Sequence, residues 1–447
     1  MDPIQFIQNL SSSDLPEDIK AVFRRSMPDT LGVAAVASLT EITAITRKIA
    51  DQFWRADPSM GEARMLYDGR RVSPAGAAFT GAFMIDSIDA HDGNSGVKGH
   101  AGSAVVPGVL AFADMKMSLG QPVTGDDLLV ALAIGYEVAY RSGHTQHGTV
   151  ADYHTSGAWT AVGLAAAGSR LLGLDAEQTR HAIGIAEYHG PRSQMMRCIE
   201  YPTMLRDGVG WGAPSGVMAV LMAQAGFTGA PAITVEGKEA EPWWHDLGSR
   251  WEIAETHYKA YPVCRWAHPA INAVHSLMSE NDLQSEQIEG VRIETFKYAV
   301  ELGGYTPTSL DEMTYAIVFP VAVMIARGKI GIEELQPDII TDPEILRLSV
   351  ATELVEDPAI TQMSIRKRWA RVILRLKNGR ILTSEVMSSK GDPEDPLSDG
   401  DLAEKYHSFA DPVLGVERAV KVKNMAENFA DLSEKEISIF FNLILES

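Results

Sequence analysis

The chain has 447 residues, 45% of them hydrophobic and 22% charged, which is the composition of a globular protein with a sizeable core. Its 39 Lys and Arg against 59 Asp and Glu give a formal charge of −20, which excludes a broad nucleic-acid or anionic-membrane surface, where a basic field is needed. Two cysteines, Cys198 and Cys264, exclude a disulfide scaffold; with no basic, then apolar, leader at the start, the cytoplasm is the expected compartment.

In chain order, the first half reads as helices rich in Gly and Ala, with apolar positions recurring at three and four: 32–53, 73–89, 103–120, 126–143, 156–174 and 210–227. Asp175 with Gln178 has the spacing of a capping box for a helix that begins there, and Gly120, Gly143 and Gly173 stand where helix C-caps are expected. No apolar run approaches the ~20 residues of a membrane span. The pattern changes near 285. Residues 290–300 carry strand-forming side chains, and 371–386 reads as a hairpin around Asn378-Gly379, the preferred pair for a type I′ turn. Ser309 and Glu312 cap a helix expected to reach Arg327. A Pro/Asp/Gly loop at 390–401 precedes a charged helical tail. The fold class is therefore mainly α: a helical domain over 1–258, a smaller α+β domain over 259–397, and helices over 398–447.

Neither a nucleotide-binding glycine fingerprint nor a GxSxG or HExxH motif is present. Polar residues cluster instead beside glycines. Asp86, Asp89, His91, Asp92, Lys98 and His100 fall in or next to a loop with four glycines, whose backbone can approach a ligand closely. His144, His147 and His154 form a second group, and His154 stands just before a small-residue helix, whose N-terminus lowers an imidazole pKa. His189, Arg192, Arg197 and Arg206 form a third. Lys259, Arg265 and His268 form a fourth, with the guanidinium forks suited to carboxylates.

The fourth cluster, Lys259-Ala-Tyr-Pro-Val-Cys264-Arg265-Trp-Ala-His268, resembles a motif of the MmgE/PrpD family. Asp89-Ala-His-Asp92 followed by His100-Ala-Gly-Ser-Ala-Val-Val-Pro107 resembles a second, and the run from His154 to Ala186 a third. The resemblance implies an all-helical domain with an inserted α+β lid and a site between them. It also implies homodimers and substrates that are small polycarboxylates, handled without metal or organic cofactor. Carried over position by position, it makes Asp89, His100, His154 and Lys259 catalytic. His91, Asp92, Arg192, Arg206, Arg265 and His268 are then expected to bind substrate. The chain departs from the family in having His91-Asp92-Gly93 where relatives often have Asp-Asp-Thr. It also has Arg206 near a family lysine, and Phe319, with Tyr315 close by, where an aromatic hydroxyl is expected.

Dehydration of the 2-methylcitrate type is the favoured reaction, with His154 and Lys259 as acid and base and His100 assisting. Epimerisation of an iminodisuccinate-like substrate and decarboxylation of the cis-aconitate type are the alternatives. A metallohydrolase using His91, Asp92, His100, His144, His147 and His154 belongs to a different class, as does a non-catalytic binding protein. The expectation on charge is a positive pocket in a negative protein.

Overall fold

The computed structural model describes residues 1–446, the side chain of Leu335 excepted, so Ser447 of the expected tail lies outside the described residues. The larger part is built from helices α1 (Glu17–Ala37), α2 (Glu41–Phe53), α3 (Pro74–Asp86), α4 (Gly102–Ser118), α5 (Gly125–Thr149), α6 (Gly157–Leu171), α7 (Ala176–His189) and α8 (Val209–Gln224). α6 packs against α5, α7 and α8, and α3 against α4 and α8. Small residues set these distances. A Cβ on Gly163 would stand 2.3 Å from the Gly135 carbonyl oxygen and 2.6 Å from the Ala139 Cβ, so α5 and α6 meet backbone to backbone.

Two expectations are corrected here. The helix expected over 32–53 breaks at 38–40, where the Thr40 hydroxyl accepts the Thr43 N–H at 3.4 Å and starts a new helix. Gly143 is not a C-cap. It lies inside α5, where a Cβ would meet Val97 at 2.4 Å and Trp159 at 3.0 Å, so it serves close packing. Gly120 and Gly173 do close helices, with φ of 73° and 69°, and the Asp175–Gln178 capping box forms as read.

The second part comprises α9 (His268–Glu280), β1 (Ile288–Thr295), α10 (Leu310–Thr314), α11 (Val318–Arg327), β2 (Thr352–Glu356), β3 (Trp369–Leu376), β4 (Ile381–Thr383) and β5 (Met387–Ser388). The sheet order is β2-β1-β3-β4, with β5 also on β3; β1 and β2 are parallel and the other pairs antiparallel. Ala370, Val372, Leu374 and Leu376 of β3 are buried at period two, and α9 packs on this strand. The 371–386 hairpin is present, but its turn is not type I′. Gly379 has φ 85° while Asn378 stays at negative φ, and the Gly379 N–H donates to the Leu376 carbonyl at 2.9 Å, the geometry of a type I turn closed by a glycine bulge.

The helix expected over 309–327 is also interrupted. The N–H groups of Ile317 and Val318 turn to the Gly303 carbonyl and that of Phe319 to Gly304, while Pro320 has no N–H to continue the ladder. The interruption frees Tyr315 from the helix. In the tail, α12 (Asp399–Leu414) and α13 (Val416–Glu427) pack on α1, and α14 (Glu434–Leu445) packs on α13.

The close α5–α6 approach is testable. Gly163→Ala should lower stability by about 1–3 kcal/mol, because the added methyl forces the helices apart. Urea denaturation reads this as a lower midpoint with an unchanged slope, and an unchanged midpoint would contradict it.

Candidate active site

After α3 ends, Asp89 takes the left-handed conformation, φ 51°, which aspartate tolerates better than most residues. That turn aims two of its oxygens at one cation. Lys259 Nζ donates to the Asp89 carbonyl at 2.9 Å and to Oδ1 at 2.5 Å. Both side chains are buried, so the pair holds two charges that water does not reach. Behind it, His91 Nε2 lies 3.2 Å from Asp86 Oδ1 and 3.9 Å from Asp89 Oδ1. Asp86 Oδ2 accepts the Asp207 N–H at 3.0 Å. Arg206, also left-handed at φ 52°, donates to the Asp86 carbonyl, to Asp311 at 3.0 Å and to Thr314 at 2.9 Å, and lies 4.7 Å over the Tyr315 ring.

His100 stands at the other end of the glycine loop. A Cβ on Gly99 would come within 2.3 Å of Ser156 Oγ, which shows how tightly the loop lies on the start of α6. The His100 backbone N–H donates to that oxygen at 3.0 Å, and its Nδ1 donates to the Asp92 carbonyl at 2.6 Å. Burial, then the charges of Lys259 and His91, hold the imidazole well below its ordinary pKa. His100 is therefore neutral, its one ring proton is committed to a carbonyl, and Nε2 carries a lone pair. His257, its ring 6.3 Å away, is likewise pushed down by burial and Arg265.

Asp89, His100, Asp207, His257 and Lys259 line one cleft between the helical part and the α+β part. Four cations face it: Lys98, Lys259, Arg265 and Arg368. Arg265 is fixed by Asp392 at 2.8 Å and by the carbonyls of Tyr258 and Lys390. Arg368 donates to the carbonyls of its own loop, Ser364, Arg366 and Lys367, and has no carboxylate partner among the described residues. Of the acids in the lining, Asp89 is paired with Lys259. Asp207 is pushed up to about 8 by burial and by Asp86, so it is largely protonated at neutral pH. For Asp86 burial acts upward too, but the hydrogen bond and charge of His91, with Arg206 and the Asp207 N–H, leave it below the ordinary value.

The sequence-derived site residues are thus sorted by depth. Asp89, His100, Lys259 and Arg265 line the cleft. His91, Asp92, Arg206 and His268 lie outside the lining and are buried: Asp92 accepts from Tyr136 at 2.9 Å, and His268 Nε2 donates to the Val263 carbonyl at 3.1 Å. His154 and Arg192 are not in the lining. His154 Nδ1 donates to the Asp152 carbonyl at 2.9 Å, and Arg192 is exposed. Of the two aromatic candidates, Tyr315 lines the cleft, whereas Phe319 is buried in α11. The residues proposed for a metal do not converge. His144 faces Glu252 at 3.2 Å, and among the described residues Asp86, Asp89 and His91 are the side chains near enough to share an ion, where the Lys259 ammonium already supplies the cation.

With this geometry in hand, two family models match the chain: the MmgE/PrpD N-terminal domain over residues 4–241 and the MmgE/PrpD C-terminal domain over 261–431. The chain belongs to the MmgE/PrpD family. Curated relatives are similar along almost their whole length. A cis-aconitate decarboxylase-like protein, oryM, of Aspergillus oryzae is 23% identical over 96% of this chain and 94% of its own. The cis-aconitate decarboxylase of Aspergillus terreus is 21% identical over 93% and 90%. The human cis-aconitate decarboxylase is 23% identical over 96% and 91%.

Within this MmgE/PrpD cleft, the sequence reading passed over His257, Asp207, Arg368 and Tyr153. His257 had a usable signal: it stands two residues before Lys259 in an extended segment, and alternate residues share a face. Arg368 had none, because Arg366-Lys367-Arg368 reads as a solvated basic run.

Asp207 makes a pH prediction. Its folded pKa lies above the ~3.9 of an unfolded aspartate, so the folded state holds an extra proton between about pH 4 and 8. That contribution to stability falls as pH rises through this window. Asp207→Asn should therefore lose less stability than the parent between pH 5 and pH 8 in urea titrations; equal losses would contradict the assignment.

Proposed function

We propose that the protein is a cofactor-independent lyase that removes carbon dioxide from a small polycarboxylate of the cis-aconitate type. One observation carries this reading: a cleft in a chain of net charge −20 gathers Lys98, Lys259, Arg265 and Arg368, while its free acid, Asp207, is kept protonated. Such a cleft suits an anion with several carboxylates. The similarity to cis-aconitate decarboxylases over nearly the full chain supports decarboxylation ahead of the dehydration favoured from sequence.

In this proposal the cations hold two carboxylates and leave a third against the less polar wall of Trp266 and Met195. The bond from carbon to that carboxylate breaks, and carbon dioxide leaves. The electron pair spreads over the neighbouring unsaturated carboxylate, whose growing charge Lys259 and Arg265 stabilise. A proton is then delivered to carbon, and Asp207 is the group that holds one at neutral pH. His100 offers a lone pair rather than a proton. Its imidazole stands beside the carbon chain of the substrate and bounds the cleft there.

That same lone pair favours a second reading, removal of a proton next to a carboxylate, as dehydration or epimerisation requires. Proton NMR in deuterium oxide separates the two. With cis-aconitate, the first reading gives a five-carbon diacid carrying one deuteron, with carbon dioxide released. Exchange, or addition and loss of water, without loss of carbon supports the second. Neither with any di- or tricarboxylate overturns the substrate class. In the second reading His100 is the base, so His100→Gln should lower kcat by about 10²–10⁴, and parent-level turnover would remove His100 from that role.

A further inference from the structure

The cleft does not end at Arg368. A wider groove of about 700 Å³ opens from it, and Lys98, Tyr153, Trp266 and Arg368 line both spaces. Beyond this junction the groove is faced with aromatic rings. The Trp266 ring lies 5.8 Å from Phe296 and 6.2 Å from Tyr298, and the Arg368 guanidinium lies 5.7 Å over Phe296. Tyr298 is 51% exposed and Ile365 is 76% exposed, so apolar surface is left open to water next to a catalytic cleft.

We infer that this groove is a specificity subsite for a hydrocarbon substituent on the polycarboxylate substrate. The carboxylates occupy the cleft, and an alkyl arm runs past Arg368 along Trp266, Phe296 and Tyr298. The inference rests on the polycarboxylate reading of the cleft but not on which bond is broken there. Continuity argues for a substrate arm rather than a separate ligand, since four residues belong to both spaces. Charge argues the same way. The junction carries Arg368, a fixed cation without a carboxylate partner among the described residues, and the rim adds Lys98, Arg197 and Lys297 against Asp152 and Glu200. An occupant anionic at one end and apolar at the other fits both halves.

The test is titration calorimetry of the full chain with succinate and with straight-chain 2-alkylsuccinates from methyl to hexyl, a series that reports binding independently of turnover. Burial of each methylene should tighten binding by about fourfold, with a heat-capacity change growing more negative along the series. Tyr298→Ala and Ile365→Ser, both at exposed positions, should flatten that slope and leave the succinate constant unchanged. Succinate binding with no dependence on chain length overturns the subsite and spares the reading of the cleft. A chain-length slope that both variants leave intact places the arm elsewhere and also overturns the subsite. Failure of every diacid to bind overturns the polycarboxylate reading, and the subsite with it.

Discussion

The buried pair between Lys259 and Asp89 is the contact on which the cleft depends. It joins two segments 170 residues apart, and both of its charges are removed from water. Isolated charges in such surroundings are strongly disfavoured, so each partner holds the other in place. The left-handed turn at Asp89 is kept by the same contact, because that conformation presents both the carbonyl and the carboxylate to the ammonium. Support comes from behind. Lys405, on the returning helix α12, donates to Asp29 on α1 and to the Ala90 carbonyl, each at 2.7 Å, and so fixes the residue after Asp89. The chain's two ends thereby brace the loop between α3 and α4.

From this pair the electrostatics of the rest of the site follow. The Lys259 charge is one reason that His100 stays neutral, and a neutral imidazole with its proton tied to Asp92 has one nitrogen left for a ligand. Burial, with the charge of Asp86 that His91 and the Asp207 N–H anchor, keeps Asp207 protonated. Protonation states in the cleft are therefore set by burial and neighbours, not by residue type. The overall charge of −20 is carried away from the cleft, where cations are held by carbonyls and by few acids.

Much of this was legible in the chain itself. Helices with apolar residues at three and four, the Asn378-Gly379 hairpin and the change of character near 285 follow from local chemistry, which one segment carries by itself. The breaks were less legible. Thr40 starts a new helix through its own hydroxyl cap, and after Tyr315 the next N–H groups turn to carbonyls of another segment, neither of which periodicity registers. Lys259, Asp89, His100 and Arg265 were found because each sits in a motif rich in glycine or aromatic residues. His154 was chosen for its place before a helix, yet the extended segment there turns its ring to the Asp152 carbonyl, outside the cleft lining. Asp207 gains its state from burial beside Asp86, and Arg368 its place from burial among the carbonyls of its own loop; burial of a charged residue has no signature in a sequence.

The central claim is that the Lys259–Asp89 pair and its neighbouring cations form the seat for several carboxylates. A crystal structure with tricarballylate, a saturated tricarboxylate with no bond poised to break, tests it most directly. The account requires the ligand in the cleft, with carboxylate oxygens within hydrogen-bond distance of Lys259 and of Arg265 or Arg368, and His100 Nε2 beside its carbon chain. A tricarballylate bound elsewhere, or one in the cleft that leaves all three cations untouched, would contradict it.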